Sequence, residues 1–339
     1  MKLAIHYNND PRNFCHGWIK SCEELGIEYI SVDCLDPDIL NTIKEYHGLL
    51  WHWYPSDRAS MSLAPFLMQS VEMMGKIAIP NALMALSFDD KLAQNYILNS
   101  IGTDTVQTTV FYERDKALKF GRICELPIVH KLKGGAGSLN VSLITRRKEL
   151  LRLIHNNFNR GSSKINYKNL VKDRLSRFKK NPSFSTFKSL SGGLLQSATN
   201  KFSLKKEPND YVYFQKYLPN NSDIRIIVLG QKAIGIRRYN REGDFRASGS
   251  GNIVYNHKEI PLDCVRQGFN LSYKLKTPIL AIDFISDGAA WKVVEMSYGF
   301  VSRFYANCEG YWDIDLTWRY SNVNTEKMLI ESLIVQNEP

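Results

Sequence analysis

The first eighty residues alternate between strand patterns and helix patterns, and this alternation constrains the fold more than any other feature of the sequence. Strand patterns lie at 3–7, 29–32, 48–53 and 77–79, and helix patterns lie between them at 14–25, 39–46 and 60–74. Strands that alternate with helices form a parallel sheet with helices on its faces. We therefore predict a small parallel α/β domain over residues 1–88.

Ligands of such sheets bind where the strands end. The residues at those positions are Asn8, Asn9, Asp10, His52, Trp53, Asp57 and Arg58. His52 fits a ligand-binding role and a buried structural role equally well, and the sequence does not separate the two.

The rest of the chain mixes strands and helices in less regular order. A helix begins at Asp89 or Asp90, and strand patterns follow at 107–112, 127–132, 141–145, 211–219, 223–230, 232–239, 278–285 and 292–297. We predict two α+β lobes, 89–212 and 213–339, with a basic insertion at about 159–208 in the first lobe.

Positive charge is concentrated in that insertion. The formal net charge is +10, and residues 160–206 hold twelve Lys or Arg against one acid, Asp173. An amphipathic helix is predicted around Leu170 and Phe178. The segment fits an acidic glycan or the phosphates of a membrane surface, and a solvated basic loop is the alternative. Its aromatic residues form no stacking pattern for bases, so nucleic acid is not an expected partner.

Cysteine usage and hydrophobicity bear on the compartment. The six cysteines, at 15, 22, 34, 124, 264 and 308, include no Cys-x-x-Cys pair, which argues against a zinc site or a disulfide framework. We expect reduced, partly buried thiols. The amino-terminal apolar stretch is too short for a signal peptide, and no apolar run is long enough to span a bilayer. These features predict a cytoplasmic protein, and the basic insertion adds peripheral membrane contact as an option.

A glycine-rich loop follows one predicted strand. The stretch KLKGGAGSLNV, residues 131–141, comes directly after the apolar run 126–130. Glycine serves where a chain turns tightly or where a ligand approaches the backbone. The loop lacks the Gly-Lys-Ser/Thr ending of the Walker phosphate loop and the third glycine of a dinucleotide fingerprint. By itself it fits a hairpin turn as well as a phosphate cradle.

The order of several weak motifs decides between these options. Along the chain come a lysine at a helix start, a lysine entering the glycine loop, a strand ending in Gln-x-Tyr-Leu-Pro, the triplets Asp-Ile-Arg and Asp-Phe-Arg, and an Asp and a Glu on successive strands. This order, over roughly residues 80–315, resembles the ATP-grasp superfamily. The resemblance implies an α/β and α+β architecture, in which a small parallel domain precedes two α+β lobes that enclose ATP.

The resemblance assigns nucleotide-binding roles to two sets of residues. Lys91 and Lys131 would supply positive charge to the phosphates of ATP, and Gln215 with the backbone of Lys216 and Leu218 would hold the adenine base. The backbone N–H groups of the glycine loop would close over the phosphates. The loop residues concerned are Gly134, Gly135, Ala136, Gly137 and Ser138.

Two carboxylates are implied magnesium ligands. Asp283 and Glu295 lie on strands that we expect to be antiparallel neighbours, so both carboxylates can meet one hard cation. Members of the superfamily usually carry Asn two residues after the glutamate. This chain has Ser297 there, and a hydroxyl is a poorer ligand for a second magnesium ion. For Asp283, a carboxylate satisfied by backbone donors is the alternative.

Arginines complete the implied site. By resemblance, Arg246 of DFRASGSGN reaches the terminal phosphate or an acyl phosphate, and Arg225 is the second implied catalytic residue. The stretch 248–252 would form a second small-residue loop, with a hairpin turn as the alternative. Arg237 and Arg238 can extend the positive surface, although they point to opposite faces of one strand, so only one of them can do so.

The implied reaction is ligation driven by ATP. A substrate carboxylate attacks the γ-phosphate, an acyl phosphate forms, and an amine displaces phosphate, a reaction that needs positioning and charge neutralisation. The expected cofactors are ATP and Mg²⁺, and the expected partners are a small carboxylate and an amine. A phosphotransferase on the same fold and a nucleotide-binding module without catalysis are the alternatives.

Finer features concern the substrate. A second resemblance, to a bacterial subgroup associated with surface-polysaccharide clusters, lies in the stretches DDKLAQNYIL, KLKGGAGSLNV and DFRASGSGNI. It implies that the substrate is an amino acid or sugar acid of glycan biosynthesis. Tyr298, Arg303, Tyr305 and Tyr311 fit an acceptor site, and a core role for most of them is the alternative. The oligomeric state is left open, with a homodimer among the options.

Overall fold

Two compact units make up the protein. The computed structural model describes residues 1–132, 134, 140–160, 174–175, 183, 189 and 210–335. Met1–Thr105 and Leu218–Pro339 form one unit, and Val106–Tyr217 form the other. The buried apolar side chains fall into two separate clusters, one in each unit.

The chain begins with the parallel α/β arrangement that the alternating pattern predicts. The elements are β1 Lys2–His6, α1 Phe14–Leu25, β2 Glu28–Val32, α2 Ile39–Thr42, β3 Gly48–Leu50, α3 Arg58–Met73, β4 Ile77–Ile79, α4 Ala82–Ser87 and α5 Lys91–Ser100. The strands stand in the order β2-β1-β3-β4, and all three pairings are parallel. Polar side chains at Asn13, Asp57 and Asp90 accept backbone N–H groups and so begin α1, α3 and α5.

The second unit is built on a four-stranded antiparallel sheet. Its elements are β5 Thr108–Phe111, α6 Arg114–Ile123, β6 Ile128–Lys131, β7 Val141–Ile144, α7 Arg147–Arg160 and β8 Val212–Lys216. The strand order is β5-β8-β6-β7. One face packs on the two helices through Ile128, Phe214, Leu150 and Ile154. Strands β6 and β7, which precede and follow the glycine-rich stretch in the sequence, are antiparallel neighbours.

A larger antiparallel sheet completes the first unit. Its elements are β9 Ser222–Leu229, β10 Lys232–Tyr239, β11 Ile253–Val254, α8 Leu262–Lys274, β12 Ile279–Ser286, β13 Trp291–Ser297, β14 Gly310–Asp313, β15 Trp318–Tyr320 and α9 Thr325–Val335. The seven strands follow the order β13-β12-β9-β10-β14-β15, with β11 beside β10. Helix α8 lies close against one face, because a Cβ on Gly268 would stand 3.1 Å from Ile226 and 3.3 Å from Val228.

The amino-terminal segment and the larger sheet share one hydrophobic core. Trp18 of α1, Ile226 of β9 and Leu329 of α9 are fully buried in the same cluster. We predicted three domains, 1–88, 89–212 and 213–339, and that division stays a prediction. The compact units group the chain differently, because α9 returns to pack on α1 and ties the carboxyl terminus to the first strands.

Several predictions concern the chain as a whole. The predicted helix at 14–25 is found as α1, whereas no prediction was made for β14, β15 and α9. The basic insertion lies almost wholly outside the described residues. All six cysteines lie within the described ranges and are free thiols. Among the helices that the structure describes, none is both long and apolar enough to cross a bilayer.

Candidate active site

A row of three charged residues crosses the larger sheet. Arg225 on β9 pairs with Asp283 on β12, and Asp283 pairs in turn with Glu295 on β13. Residues paired across neighbouring strands carry their side chains on the same face. The flanking Ile226 and Ile282 lie against Gly268 of α8, so the charged row occupies the opposite face. The expected antiparallel pairing of the two acidic strands is therefore found, and the two carboxylates are direct neighbours.

Two arginines hold the carboxylate of Asp283. Arg225 donates from Nε and Nη2 to its two oxygens at 2.5 and 2.6 Å, and Arg238 on β10 donates from Nη2 at 2.9 Å. Burial alone would raise the pKa of Asp283, but the positive charges of Arg225 and Arg238 outweigh it and hold the pKa well below its usual range. Guanidinium groups, and not the backbone donors considered above, therefore satisfy this carboxylate.

A buried lysine stands beside this row. Lys91 is the first residue of α5, where the carboxylate of Asp90 accepts the N–H groups of Leu92 and Ala93. The Lys91 side chain is 4% exposed, and its Nζ makes no hydrogen bond to any residue that the structure describes. Its salt bridge is to Oε1 of Glu295, at 3.9 Å. A buried ammonium without an acceptor is costly, so this position favours an anionic ligand.

Ser297 extends the acidic end of the row. It lies two residues beyond Glu295 on β13, so both side chains share one face. The Ser297 Oγ accepts the N–H of Gly299 at 3.0 Å. A hydroxyl oxygen has a second lone pair, so Ser297 can still offer one to a cation.

Arg246 lies in the irregular segment 240–252 that follows β10. Its Nε and Nη2 donate to Asp244 at 3.0 and 2.7 Å, and both side chains are 4% exposed. A phosphate would therefore compete with Asp244 for the guanidinium fork. The predicted role of Arg246 stays a prediction.

In the second unit, two predicted nucleotide-binding residues share one face of the sheet. Lys131 pairs with Tyr213, and Gln215 pairs with Val129, so Lys131 and Gln215 are diagonal neighbours on the face turned away from α6 and α7. They are 5% and 6% exposed. The Nε2 of Gln215 donates to Oγ1 of Thr108 at 3.2 Å. The side-chain amide of Gln215 also carries a carbonyl oxygen, which is a hydrogen-bond acceptor.

The backbone groups predicted to hold the base differ in their contacts. The N–H of Lys216 donates to the carbonyl of Gln107 at 2.9 Å, so that donor is already used within the sheet. The carbonyl of Leu218 accepts Nδ2 of Asn220 at 2.6 Å. In the glycine loop, Gly134 accepts Nδ2 of Asn140 at 2.6 Å. The other loop residues assigned to phosphate binding lie outside the described residues, namely Gly135, Ala136, Gly137 and Ser138.

Comparison with solved structures identifies the fold. No family model matches the sequence, and no curated protein matches it. An ATP-grasp RimK domain protein from Sphaerobacter thermophilus is 12% identical, with 98% of this chain and 100% of that chain covered and a TM-score of 0.56. D-alanine–D-alanine ligase from Bacillus anthracis is 13% identical, with 99% and 98% covered and a TM-score of 0.54. The ATP-grasp ligase PsnB, solved with a phosphomimetic variant of its minimal precursor, Mg and ADP, is 13% identical, with 99% and 98% covered and a TM-score of 0.55.

The chain has the ATP-grasp fold. The architecture that the order of motifs implied is thereby confirmed over the whole chain, whereas the resemblance to a polysaccharide-associated subgroup stays a prediction. At these identities the likeness concerns the fold, so the roles of individual residues must be argued from their own contacts.

The charged face of this ATP-grasp fold suits a phosphate chain with magnesium. Within the described ranges no three His, Cys, Asp or Glu residues gather into a cluster that could hold a metal alone. Asp283 and Glu295 supply two carboxylates, and Mg²⁺ normally takes its remaining ligands from phosphates and water. The unsatisfied Nζ of Lys91 beside Glu295 then matches the negative charge that a phosphate would bring.

Three of the amino-terminal candidates, His52, Trp53 and Asp57, make contacts that support the local structure. His52 is buried and stacks on Phe14 with ring centroids 3.9 Å apart, and its Nδ1 accepts the Phe14 N–H at 3.3 Å. Loss of hydration lowers the pKa of His52 to about 3. Asp57 caps α3, and Tyr298 hydrogen-bonds the backbone of Trp53. Of the aromatic acceptor candidates, Tyr298 therefore serves the core.

Sequence reasoning missed one member of the charged face. Asp223 on β9 was not singled out, although its bidentate partner Arg238 was considered for the positive surface. The signal was present in the alternation of DIRIIVL, which places the aspartate and Arg225 on the same side of one strand. Only the pairing of β9 with β10 shows that Arg238 reaches both Asp223 and Asp283.

Proposed function

We propose that this protein is an ATP-dependent ligase that activates a substrate carboxylate as an acyl phosphate and couples it to an amine. One observation carries the proposal: the Lys91 ammonium is buried without a hydrogen-bond acceptor among the described residues, beside the adjacent carboxylates of Asp283 and Glu295. A cation that lacks an anion, next to two oxygen ligands for a hard cation, favours a nucleotide phosphate bound with magnesium.

The fold supports the same chemistry. Structures that share it include D-alanine–D-alanine ligase and the ligase PsnB with Mg and ADP. These names describe those proteins, and we extend them to this chain because Arg225, Asp283 and Glu295, which the motifs predicted, lie on one face of the larger sheet.

The charged residues of the first unit have different proposed roles. Lys91 neutralises phosphate charge, and the guanidinium fork of Arg246 binds phosphoryl oxygens as Asp244 gives it up. Asp283 and Glu295 would hold magnesium, which when bound neutralises the phosphate oxygens and orients them. Arg225 keeps its Nη1 without a hydrogen bond among the described residues, so it can contact an oxygen while it holds Asp283.

The reaction itself needs little from the protein beyond this arrangement. The substrate carboxylate attacks the γ-phosphorus, ADP leaves, and the acyl phosphate is then attacked by an amine that loses a proton as phosphate departs. Positioning and charge neutralisation account for most of the catalysis in phosphoryl transfer. We assign no side chain as a covalent nucleophile.

In the second unit, Lys131 and Gln215 are proposed to bind phosphate and adenine through one face of their sheet. Leu218 is the proposed backbone contact to the base, and Lys216 can contribute through its carbonyl because its N–H is already used. The glycine loop from Gly134 to Ser138 is proposed to close over the phosphates.

For the substrates we propose a small carboxylate and an amine, with an amino acid or sugar acid of glycan biosynthesis as the first class to test. The basic insertion would then contact an acidic glycan or a membrane surface. This finer assignment depends on the resemblance of three motifs and on the charge of the insertion.

The test is release of ADP and phosphate by the purified protein with ATP and Mg²⁺, against amino acids, uronic acids and acidic nucleotide sugars offered singly and in pairs. We expect stimulation by a carboxylate together with an amine. Asp283→Asn and Arg246→Ala should abolish it. Asp263→Asn is the matched control, because it makes the same change at an exposed position of α8, on the opposite face of the sheet.

The products separate the alternatives. Phosphorylation of a hydroxyl without a carboxylate requirement would establish the phosphotransferase. Nucleotide binding that no panel member turns over, and that Asp283→Asn leaves unchanged, would favour a binding module without catalysis.

A further inference from the structure

Four charged side chains form a closed network on the charged face of the larger sheet. Arg238 donates from Nε and Nη2 to the two oxygens of Asp223, both at 2.7 Å. Arg225 makes the same bidentate contact to Asp283, at 2.5 and 2.6 Å. A further contact of 2.9 Å, from Nη2 of Arg238 to Oδ1 of Asp283, joins the two pairs. The network spans β9, β10 and β12, and its formal charges sum to zero.

The network is buried, and its burial makes the four residues interdependent. The side chains of Arg238, Asp283 and Asp223 are 7%, 10% and 16% exposed, and that of Arg225, at the edge of the network, is 24% exposed. Removing one partner of a buried pair leaves an uncompensated charge, whereas replacing the whole set by apolar side chains is often neutral for stability. Stability alone therefore gives no reason to keep four charges here, and a positioning role does.

The contacts to Asp283 divide its two oxygens unequally. Oδ1 accepts Nε of Arg225 and Nη2 of Arg238, and Oδ2 accepts only Nη2 of Arg225 among the described residues. A carboxylate has about four lone-pair positions, two on each oxygen. Oδ1 is therefore fully used, and one position remains on Oδ2.

We propose that Asp223 and Arg238 are positioning residues that orient Asp283, so that it offers a cation a single ligand position on Oδ2. The inference rests on the proposed function, because it concerns magnesium bound with nucleotide. Neither residue needs to touch the nucleotide. Their effect passes through Asp283, as partners of metal ligands commonly act on metal affinity.

The test measures metal and nucleotide binding separately from turnover. ADP binding is titrated by calorimetry at a series of Mg²⁺ concentrations, and free Mn²⁺ is measured by electron paramagnetic resonance in the presence of ADP. For Asp223→Asn we expect the half-saturating Mg²⁺ and the Mn²⁺ dissociation constant to rise about tenfold. ADP affinity without metal should stay within about twofold, because Asp223 contacts neither phosphate nor base in this assignment.

Two further variants sharpen the test. Arg238→Lys keeps one positive charge near Asp283 but loses the fork, so it should show a smaller rise than Asp223→Asn and should remain folded if the asparagine variant does not. Asp313→Asn, on β14 of the same sheet, breaks the exposed contact with Arg319 of β15 and should leave the Mg²⁺ dependence unchanged.

Each outcome is decisive. The positioning role is supported if the half-saturating Mg²⁺ and the Mn²⁺ dissociation constant rise while metal-free ADP affinity does not. The rise should be larger in Asp223→Asn than in Arg238→Lys. Equal losses of metal-free and metal-dependent ADP binding would show a merely structural role and overturn it. Mg²⁺ dependence in both network variants that matches Asp313→Asn would also overturn it, with the proposed function left standing. Failure of the unmodified protein to bind ADP with Mg²⁺ would overturn both.

Discussion

Nζ of Lys91 lies 3.9 Å from Oε1 of Glu295 and makes no hydrogen bond within the part of the chain that the structure describes. The contact between α5 and β13 holds the two together, and Oε1 of Gln94 accepts the backbone N–H of Met296 at 3.3 Å. At this separation the two charges form a loose pair, so the ammonium keeps its capacity for an anion.

Replacing Lys91 by Met should weaken nucleotide binding. The variant fills the buried space with an apolar chain and removes the charge that faces a phosphate. A hydrogen bond to a charged group contributes about 2 kcal/mol, so we expect a roughly 30-fold rise in the dissociation constant of Mg²⁺-ATP. Isothermal titration calorimetry measures it directly.

Lys327→Met is the control for that measurement, because Lys327 pairs with Glu24 at 2.8 Å on the surface. It should bind ATP as the unmodified protein does. Unchanged affinity in Lys91→Met as well would remove Lys91 from the nucleotide site.

Local patterns were sufficient to predict most of the fold. Helix α1 begins after a capping Asn13 and ends at Gly26 with φ of +67°, and both signals are legible in the sequence. Asp283 and Glu295 lie on strand patterns that are successive in the sequence, which favoured an antiparallel pair, and the observed register makes them direct partners. These features depend on residues close together in the chain.

Contacts between distant residues could not be predicted in this way. Tyr298 was predicted to belong to an acceptor site, yet its hydroxyl hydrogen-bonds the backbone of Trp53, which is 245 residues away in the sequence. The link from Arg238 to Asp283 likewise depends on the strand order, and the packing of α9 on α1 joins the two ends of the chain. Periodicity carries no information about which strands become neighbours.

Tyr298→Phe should destabilise the first unit. The hydroxyl accepts the N–H of Trp53 at 3.2 Å in a fully buried setting, and its loss leaves that donor unsatisfied. We expect a fall of about 1–2 kcal/mol in the free energy of unfolding, measured by urea denaturation. Tyr320→Phe removes a hydroxyl from a side chain that is 73% exposed and should cost little. Equal stability of both variants would contradict a structural role for Tyr298.

The buried His52 should make the protein less stable in mild acid. Burial lowers the pKa of His52 to about 3 in the folded state from its ordinary value of 6.5, so below pH 6.5 the unfolded chain takes up a proton that the folded chain does not. Stability therefore falls as pH drops from 6.5 towards 3. At pH 4.5 this amounts to about 2–3 kcal/mol.

His52→Asn removes the titrating group, so its loss of unfolding free energy between pH 7 and pH 4.5 should be smaller by that amount. His155→Asn, at an exposed position of α7, should keep the pH dependence of the unmodified protein. Parallel pH profiles for His52→Asn and the unmodified protein would show that His52 is not held neutral.

Ser297→Asn should strengthen metal binding. Ser297 shares the face of Glu295, and its Oγ already accepts the N–H of Gly299 at 3.0 Å, which leaves one weak ligand position. An asparagine side chain reaches further and presents an amide oxygen, a better ligand for a hard cation. We expect the half-saturating Mg²⁺ for ADP binding to fall about threefold to tenfold, if one added oxygen ligand contributes as much as an ordinary hydrogen bond, about 1 kcal/mol. Ser297→Ala removes the hydroxyl and is the control for loss of a ligand. It should leave the half-saturating Mg²⁺ unchanged or raise it. If the half-saturating Mg²⁺ falls equally in Ser297→Ala and Ser297→Asn, the side chain at position 297 does not contact the metal and affects its binding only through local packing.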